Sequence, residues 1–203
     1  MPDTTSEILV LYYSPGGTTA ELARIIARGV EEVDGVQARI RTVPPVSPVC
    51  EQVADTVPES GPLYATTDDL EACDGLILGC PTHFGNMPAA MKYFIDSTSA
   101  LWMGGKLAGK PAAVFSASTS MHGGQESTLL TMMLPLLHHG MLIVGLPYTE
   151  TALFETRSGG SPYGVTRLTD DLEATPISDE ERELSLAMGR RVAGVARKLR
   201  AGS

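Results

Sequence analysis

The stretch ILVLYYSPGGTT, residues 8–19, carries an apolar run straight into a glycine-containing turn. Its first part, Ile8–Tyr13, is apolar throughout, which is typical of a strand that is covered on both faces in a parallel sheet. Beyond the turn, apolar side chains recur every three or four residues and predict the buried face of a helix: Leu22, Ile25, Ile26, Val30 and Val33. The stretch therefore predicts a strand, a tight loop and a helix, which is the repeating unit of α/β proteins.

Four further segments have strand character, with helical patterns between them. One of them, Gln37–Val43, alternates polar with apolar residues and is therefore expected at a sheet edge. The other three are near-continuous apolar runs at Gly75–Gly79, Ala112–Ser116 and Met141–Leu146. The alternation predicts a doubly wound, five-stranded parallel sheet of order 2-1-3-4-5 with helices on both faces.

Three more helices are expected. One follows Pro88, a residue suited to a first helical turn, and buries Met91, Phe94 and Ile95. The second, Gln125–Leu137, contains Pro135, which must end or kink it. The third begins with a capping box of Ser178 and Glu181, and its buried face is expected to be Leu184, Met188, Val192, Val195 and Leu199.

A length of 203 residues suits a single domain with a core over about residues 7–200. Two long loops, 44–66 and 147–176, are rich in proline or glycine, and at least one is expected to help form a subunit contact. The net charge of −9, without any basic run, argues against a nucleic-acid partner.

The three cysteines indicate a reducing environment. Cys50, Cys73 and Cys80 are odd in number and have no C-x-x-C spacing, which disfavours both a disulfide framework and a metal site. The polar residues 1–7 and the short apolar run after them fit neither a signal peptide nor a membrane span. We therefore expect a cytoplasmic protein.

The turn at residues 14–19 has the composition of an anion site. A glycine turn before a helix offers unpaired backbone N–H groups at the positive end of the helix dipole, and Ser14, Thr18 and Thr19 add hydroxyls. Such a loop suits a terminal phosphate without a cationic side chain. The motifs of triphosphate and dinucleotide sites are not found in the sequence. Ordinary turn and N-cap chemistry is the alternative interpretation of this loop.

Two further strands of the predicted sheet end in loops of the same kind. Residues 80–88 read CPTHFGNMP, in which two prolines enclose an aromatic, a glycine and an amide. Residues 116–126 read SASTSMHGGQE and are small, polar and glycine-containing. In the order 2-1-3-4-5 the three strands concerned are neighbours, so their loops meet at one edge, where open parallel sheets bind ligands.

Together these segments resemble the WrbA-type NAD(P)H:quinone oxidoreductases, a branch of the flavodoxin-like FMN proteins. The similarity runs from about Ile8 to Leu199. It is carried by LVLYYS (9–14), PTHFGNMPAAMKYFID (81–96), LW (101–102), GGQE (123–126), HHGM (138–141) and SPYG (161–164).

The resemblance implies a flavodoxin-like fold, FMN as cofactor, NADH or NADPH as co-substrate, quinones as substrates and a homo-oligomer, either tetramer or dimer. It implies that His138 is catalytic at the flavin edge, and that Trp102 and Gly16 line the substrate pocket. The family usually has an aromatic residue where this chain has Gly16, and a basic one at the place of His83. The cofactor-binding residues that it implies are Ser14, Pro15, Gly16, Gly17, Thr18, Thr19, Pro81, Thr82, His83, Phe84, Gly85, Asn86, Ser116, Ala117, Ser118, Thr119, Ser120, Met121, His122, Gly123 and His138.

Several of these side chains have a structural alternative. His138 could instead close a helix C-terminus, where a cation is favourable. Trp102, the single tryptophan, could be core or a stacking wall, and we favour the wall. Cys80 is interpreted as a buried thiol without redox chemistry. His139 is expected to face solvent or backbone.

The expected reaction is a two-electron reduction of quinones, with hydride transfer through flavin N5 and ping-pong kinetics because one pocket serves both substrates. Two other functions stay open. One is a flavodoxin-type carrier of single electrons, and the other is a regulatory binding protein without catalysis. A receiver-type signalling domain is excluded, because its acidic residues would have to stand where the chain has Tyr13-Ser14 and Gly79-Cys80.

Overall fold

The computed structural model describes residues 5–46, 57–169 and 176–202 of the chain. Within these ranges, strands and helices alternate along most of the chain. The strands are β1 (Ser6–Tyr12), β2 (Val36–Thr42), β3 (Gly75–Pro81), β4 (Pro111–Ser118), β5 (Leu142–Ile143) and β6 (Val165–Leu168). The helices are α1 (Thr18–Glu31), α2 (Thr67–Ala72), α3 (Ala89–Asp96), α4 (Ser99–Met103), α5 (Gln125–His138), α6 (Ala152–Glu155) and α7 (Asp179–Ala201).

The strands form a parallel sheet in the order β2-β1-β3-β4-β5, which confirms the predicted doubly wound order. Strand β2 lies at one edge, as its alternating pattern predicted. At the other edge, two segments share the outer side of β4. Pro111 and Ala112 pair with β5, whereas Phe115–Ser118 pair with β6.

The fifth strand is shorter than predicted, and the sixth was not foreseen. The chain leaves the sheet after Val144, whose N–H still donates to the Ala112 carbonyl at 2.7 Å. The N–H of Leu146 donates instead to the Pro162 carbonyl at 2.9 Å. Strand β6 then returns to β4 inside the predicted loop 147–176, so the loop prediction is wrong there. Residues 47–56 and 170–175 of the two predicted loops lie outside the described ranges.

Helices cover both faces of the sheet, as the apolar strands predicted. On one face, Ile8 and Val10 of β1 belong to an apolar cluster with residues of α1 and α7. On the other face, Leu9 and Leu11 belong to a cluster with residues of α3 and α5. Successive side chains of a strand point to opposite faces, so the run Ile8–Tyr13 supplies both cores at once.

Helix α7 has the predicted capping box, but one predicted core residue is wrong. The Ser178 hydroxyl accepts from the Glu181 N–H, and the Glu181 carboxylate accepts from the Ser178 N–H. Leu199, however, is 41% exposed. The 23 residues of α7 span about 35 Å, whereas a strand of seven or eight residues spans about 25 Å. The last turns therefore extend beyond the sheet.

Pro135 does not end α5, which continues to His138. The proline lies in the last turn, and its carbonyl accepts from the His139 N–H at 3.0 Å. The helix thus loses only the hydrogen bond that the missing N–H would have made. The short helices α2, α4 and α6 were not predicted, because segments of four to six residues carry too little periodicity.

Candidate functional site

The turn between β1 and α1 is an open loop of backbone. Gly17 is the N-cap of α1 and has a φ of +85°, a left-handed conformation that favours glycine. The Ser14 hydroxyl oxygen accepts from the Ala20 N–H at 3.1 Å, and so anchors the loop to the first helical turn. A Cβ added at Gly16 or Gly17 would meet no atom within 4 Å.

This geometry agrees with the predicted anion site in most respects. The N–H groups of Thr18 and Thr19 belong to the first helical turn and have no carbonyl partner within the helix. Thr19 differs from the prediction, because it is only 1% exposed and its hydroxyl does not lie on the loop surface. The loop therefore offers main-chain donors, the Ser14 hydroxyl and Thr18.

The loop after β3 is a tight hairpin turn. The His83 N–H donates to the Asn86 carbonyl at 2.8 Å, and the Asn86 N–H donates back at 3.1 Å. Between them Phe84 and Gly85 have φ values of +53° and +73°. A left-handed Phe is an uncommon and strained conformation, and its ring is fully exposed. The turn presents the ring of Phe84 to solvent at the carboxyl edge of the sheet.

The loop after β4 begins later than predicted. Ser116, Ala117 and Ser118 belong to the buried strand β4. The hydroxyl of Ser116 donates to the Cys80 carbonyl at 2.9 Å, and that of Ser118 donates to the Ser120 carbonyl at 2.9 Å. The predicted strand ended at Ser116, whereas β4 runs two residues further, so the prediction that Ala117 and Ser118 lie in the loop is wrong. The exposed loop comprises residues 119–124, with His122 and Gly124 at positive φ.

The loops after β3 and β4 pack directly on each other. A Cβ on Gly124 would lie 2.8 Å from the Gly85 Cα, so only glycine allows this approach. Behind the contact, the Thr128 hydroxyl donates to the Thr82 hydroxyl at 2.7 Å. Because β1, β3 and β4 are parallel neighbours, these two loops and the loop after β1 share the carboxyl edge of the sheet. The structure thus brings together the three loops predicted from the sequence.

Trp102 and His138 lie at the opposite end of the sheet. Helix α5 starts at the carboxyl edge and runs back over its 14 residues, about 21 Å. Just beyond His138, the Gly140 carbonyl accepts from Gly109 at the amino end of β4. His138 therefore lies away from the three loops of its own chain, and its place at the flavin edge stays a prediction. Trp102 is 50% exposed, and so it is not a core residue.

The two residues line a common open groove of about 420 Å³. Lys92, Asp96 and His139 also contribute to this groove. Its walls thus combine an aromatic ring, two imidazoles and charges of both signs. Trp102, predicted as a stacking wall, and His138, predicted as catalytic, lie together here but away from the loops of their own chain.

His139 makes a contact that the sequence did not indicate. Its Nε2 lies 2.9 Å from the Thr98 hydroxyl, which itself donates to the Ile95 carbonyl at 2.7 Å. The hydroxyl must then accept from His139, which assigns the ring hydrogen to Nε2. Burial, together with the charge of the adjacent His138, lowers the pKa of His139. His139 therefore bonds to a side chain rather than to backbone and fixes α5 to the segment before α4, while its half-buried ring also lines the groove.

The described cysteines are unsuited to redox chemistry. Cys73 and Cys80 are buried and free. Burial raises the pKa of Cys80 to about 12 and, as the largest effect, that of Cys73 to about 11. Because the thiolate is the reactive form, both thiols are inert at neutral pH. This confirms the interpretation of Cys80 as a buried thiol; Cys50 lies outside the described ranges.

One charged residue near the carboxyl edge was missed. Arg167 on β6 is 5% exposed and forms an ion pair with Glu21 in the first turn of α1. The sequence did not indicate this residue, because an arginine in the predicted loop 147–176 is expected to be exposed to solvent. The signal that could have identified it is the apolar pattern on either side, Val165 and Leu168.

Comparison with known proteins identifies the family. Residues 6–151 match the sequence family described as NADPH-dependent FMN reductase, which is more than half of the chain. The chain belongs to this family. Membership agrees with the FMN cofactor and the oxidoreductase class expected from the sequence, and confirms both at the level of the family.

Full-length relatives and solved structures support the same assignment. Proteins named NAD(P)H dehydrogenase (quinone) from Geobacter sulfurreducens and Solidesulfovibrio magneticus are 42% and 39% identical, over 95% and 96% of this chain and 98% and 99% of theirs. A WrbA-like flavodoxin from Agrobacterium tumefaciens has a TM-score of 0.69 and 26% identity, covering 95% of this chain and 98% of its own. A flavodoxin from the domain Archaea has a TM-score of 0.62 at 17% identity, covers 94% of this chain and 99% of its own, and shows the fold alone. The resemblance to WrbA-type proteins and the flavodoxin-like fold are confirmed.

Residues 5–46, 57–169 and 176–202 contain neither a membrane-spanning helix nor a cluster of metal-ligating side chains. In these parts of the chain, no helix is long and apolar enough to cross a bilayer. Across the same ranges, no three His, Cys, Asp or Glu side chains are grouped so as to hold a metal ion.

Proposed function

We propose that the three loops at the carboxyl edge bind one FMN, with its phosphate in the loop at residues 14–19. The observation that carries the proposal is the open cradle at Gly16 and Gly17, next to first-turn amides that lack a helical partner. A phosphate dianion fits such a site, since the amides and the helix dipole both favour a negative charge. The residues present thus fit the cofactor of the family.

The other two loops would hold the planar ring system and the ribityl chain. The hairpin at residues 83–86 and the loop at residues 119–124 offer backbone donors and acceptors at a fixed separation, because Gly85 and Gly124 are in contact. Ser116, Ala117 and Ser118 would support these loops from inside β4, rather than reach the cofactor with their side chains.

The proposed activity is the NADH- or NADPH-dependent two-electron reduction of quinones, the activity named for the curated relatives. Bound FMN supplies the ability to accept and return a hydride. The protein residues bind the cofactor, orient it and leave one of its faces open to substrates. A nicotinamide and a quinone would use that face in turn, which predicts ping-pong kinetics.

His138 and Trp102 would act on the cofactor of a second copy of the chain. Their groove lies about one helix length from the loops of their own chain. Beside it, α5 exposes an apolar stripe at helical spacing, formed by Leu130, Leu134 and Leu137. We propose that this stripe packs in a homo-oligomer and brings Trp102 and His138 to the neighbouring site.

The visible spectrum of the purified protein tests the cofactor and the reaction together. We expect flavin absorption bands that bleach with NADH or NADPH and return with benzoquinone. Initial rates measured against both substrates should give parallel double-reciprocal lines. Well-folded protein that takes up no FMN in a titration would refute the proposed site.

The same experiment separates the enzyme from a carrier of single electrons. A carrier would bind FMN and yet show no steady-state oxidation of NADH or NADPH with benzoquinone. An enzyme of the proposed kind turns over repeatedly without an added protein partner. Bound flavin without turnover would therefore refute the proposed activity while leaving the site intact.

A further inference from the structure

The ion pair between Arg167 and Glu21 lies next to the proposed phosphate site. Glu21 lies in the first turn of α1, directly after Thr18, Thr19 and Ala20. Its own N–H donates to the Gly17 carbonyl at 3.0 Å. The side chain of Glu21 is 44% exposed, whereas that of Arg167 is 6% exposed. A buried cation thus reaches a partly exposed carboxylate within one helical turn of the proposed anion site.

Arg167 contacts this carboxylate from the face of the sheet that α1 and α7 cover. Val165, two residues earlier on β6, belongs to the core cluster with α1 and α7, so Arg167 points to the same face of the sheet. The Arg167 carbonyl accepts from the buried Gln125 side chain at 3.4 Å, next to the start of α5. Strand β6 therefore fixes the cation between the loop after β4 and the first turn of α1.

The negative charge of Glu21 disfavours phosphate binding at the loop. In a helix the Cα–Cβ bond tilts towards the N-terminus, so the Glu21 side chain leans towards the amides that would receive the phosphate. A carboxylate and a phosphate dianion repel each other, and they compete for the same positive helix end. An unpaired Glu21 would therefore weaken phosphate binding.

We propose that Arg167 is a positioning residue for the cofactor phosphate. Arg167 neutralises Glu21 and holds the Glu21 carboxylate away from the phosphate-binding amides. This inference rests on the proposed FMN site. It predicts that the pair matters for the phosphate group of the flavin and not for its ring. Riboflavin, which has the same ring and ribityl chain but no phosphate, is therefore the matched probe.

The test measures the dissociation constants of FMN and riboflavin by flavin fluorescence, using the full chain freed of flavin. The quantity compared is the ratio of the riboflavin constant to the FMN constant. Arg167→Met should lower this ratio about tenfold, which corresponds to roughly 1.4 kcal/mol. Glu21→Gln should raise it about threefold, roughly 0.7 kcal/mol. The double variant should return the ratio to within about threefold of the wild type.

Arg190→Met is the control for losing an ion pair far from the loop, because Arg190 forms an exposed ion pair with Glu32 after the far end of α1, at 2.7 Å. Its ratio should equal that of the wild type. Equal losses of FMN and riboflavin affinity in Arg167→Met would show a merely structural role and overturn the inference. If Arg167→Met does not fold, an unchanged or lower ratio in Glu21→Gln overturns it. Wild-type protein that binds neither flavin refutes the proposed FMN site itself, and this inference with it.

Discussion

Asp69 is a nearly buried carboxylate that joins β2 to the start of α2. It accepts hydrogen bonds from the Arg39 guanidinium at 3.0 Å and the Thr66 N–H at 2.9 Å, and it lies 3.2 Å from Arg41 Nε. We predict that Asp69→Asn lowers the free energy of unfolding by about 2 kcal/mol, because Arg39 and Arg41 lose the carboxylate that they share and the capping box loses its charge, although Arg39 keeps its ion pair with Glu7. Urea unfolding at pH 7 measures this loss.

The same residue predicts a pH dependence. Burial alone would raise the pKa of Asp69, but hydrogen bonds from Thr66 and Arg39, with the charge of Arg41, lower it overall. The ionised carboxyl therefore contributes stability above its unfolded pKa of about 4, and this contribution is lost as the pH falls through the folded pKa. The gap between wild type and Asp69→Asn should close below pH 4. A gap that stays constant down to pH 3 would contradict the prediction. Asp96→Asn, which removes an exposed ion pair with Lys92, should change little at any pH.

Helices α1 and α7 pack backbone to backbone through two glycines. A Cβ on Gly189 would lie 2.1 Å from the Ile26 carbonyl oxygen, and one on Gly29 would lie 2.1 Å from the Leu186 oxygen. We predict that Gly189→Ala costs about 3 kcal/mol of unfolding free energy, because the two helices must separate. Gly194→Ala, on the same helix, meets no atom within 4 Å and should be neutral or stabilise by up to about 1 kcal/mol. Similar urea midpoints for both variants would contradict this packing.

Elements whose signal is local were predictable, and elements defined by distant partners were not. The apolar run at Ile8–Tyr13 and the Ser178–Glu181 capping box depend on neighbouring residues alone, and both formed as expected. Strand β6 is four residues long, carries Arg167 and exists because the free edge of β4 accepts it. Its pairing joins residues about fifty positions apart, which no local pattern shows.

At the scale of the whole molecule, the sequence located the loops better than the side chains around them. Parallel neighbouring strands share an edge, so loops that follow β1, β3 and β4 had to meet. The positions of Trp102 and His138 depend instead on where helices end. The contact between Glu21 and Arg167 joins residues 146 positions apart. Neither follows from composition or spacing, because each is set by packing across the finished sheet.

The separation of Trp102 and His138 from the loops leads to a prediction about assembly. Leu134 is 58% exposed on the apolar stripe of α5. A charged side chain at this position would be buried between copies, which disfavours their contact. In a single chain the position is exposed, and a charge there is tolerated. Leu134→Glu should therefore reduce the particle mass in analytical ultracentrifugation and lower quinone reduction at least tenfold.

The Leu134→Glu variant should leave FMN affinity within about twofold, because the three loops belong to one chain. Leu199→Glu, at a 41% exposed residue of α7 on the opposite face of the sheet from α5, should alter neither mass nor activity. A wild-type monomer with full activity would refute the shared site, and so would a Leu134→Glu variant that dissociates without losing turnover.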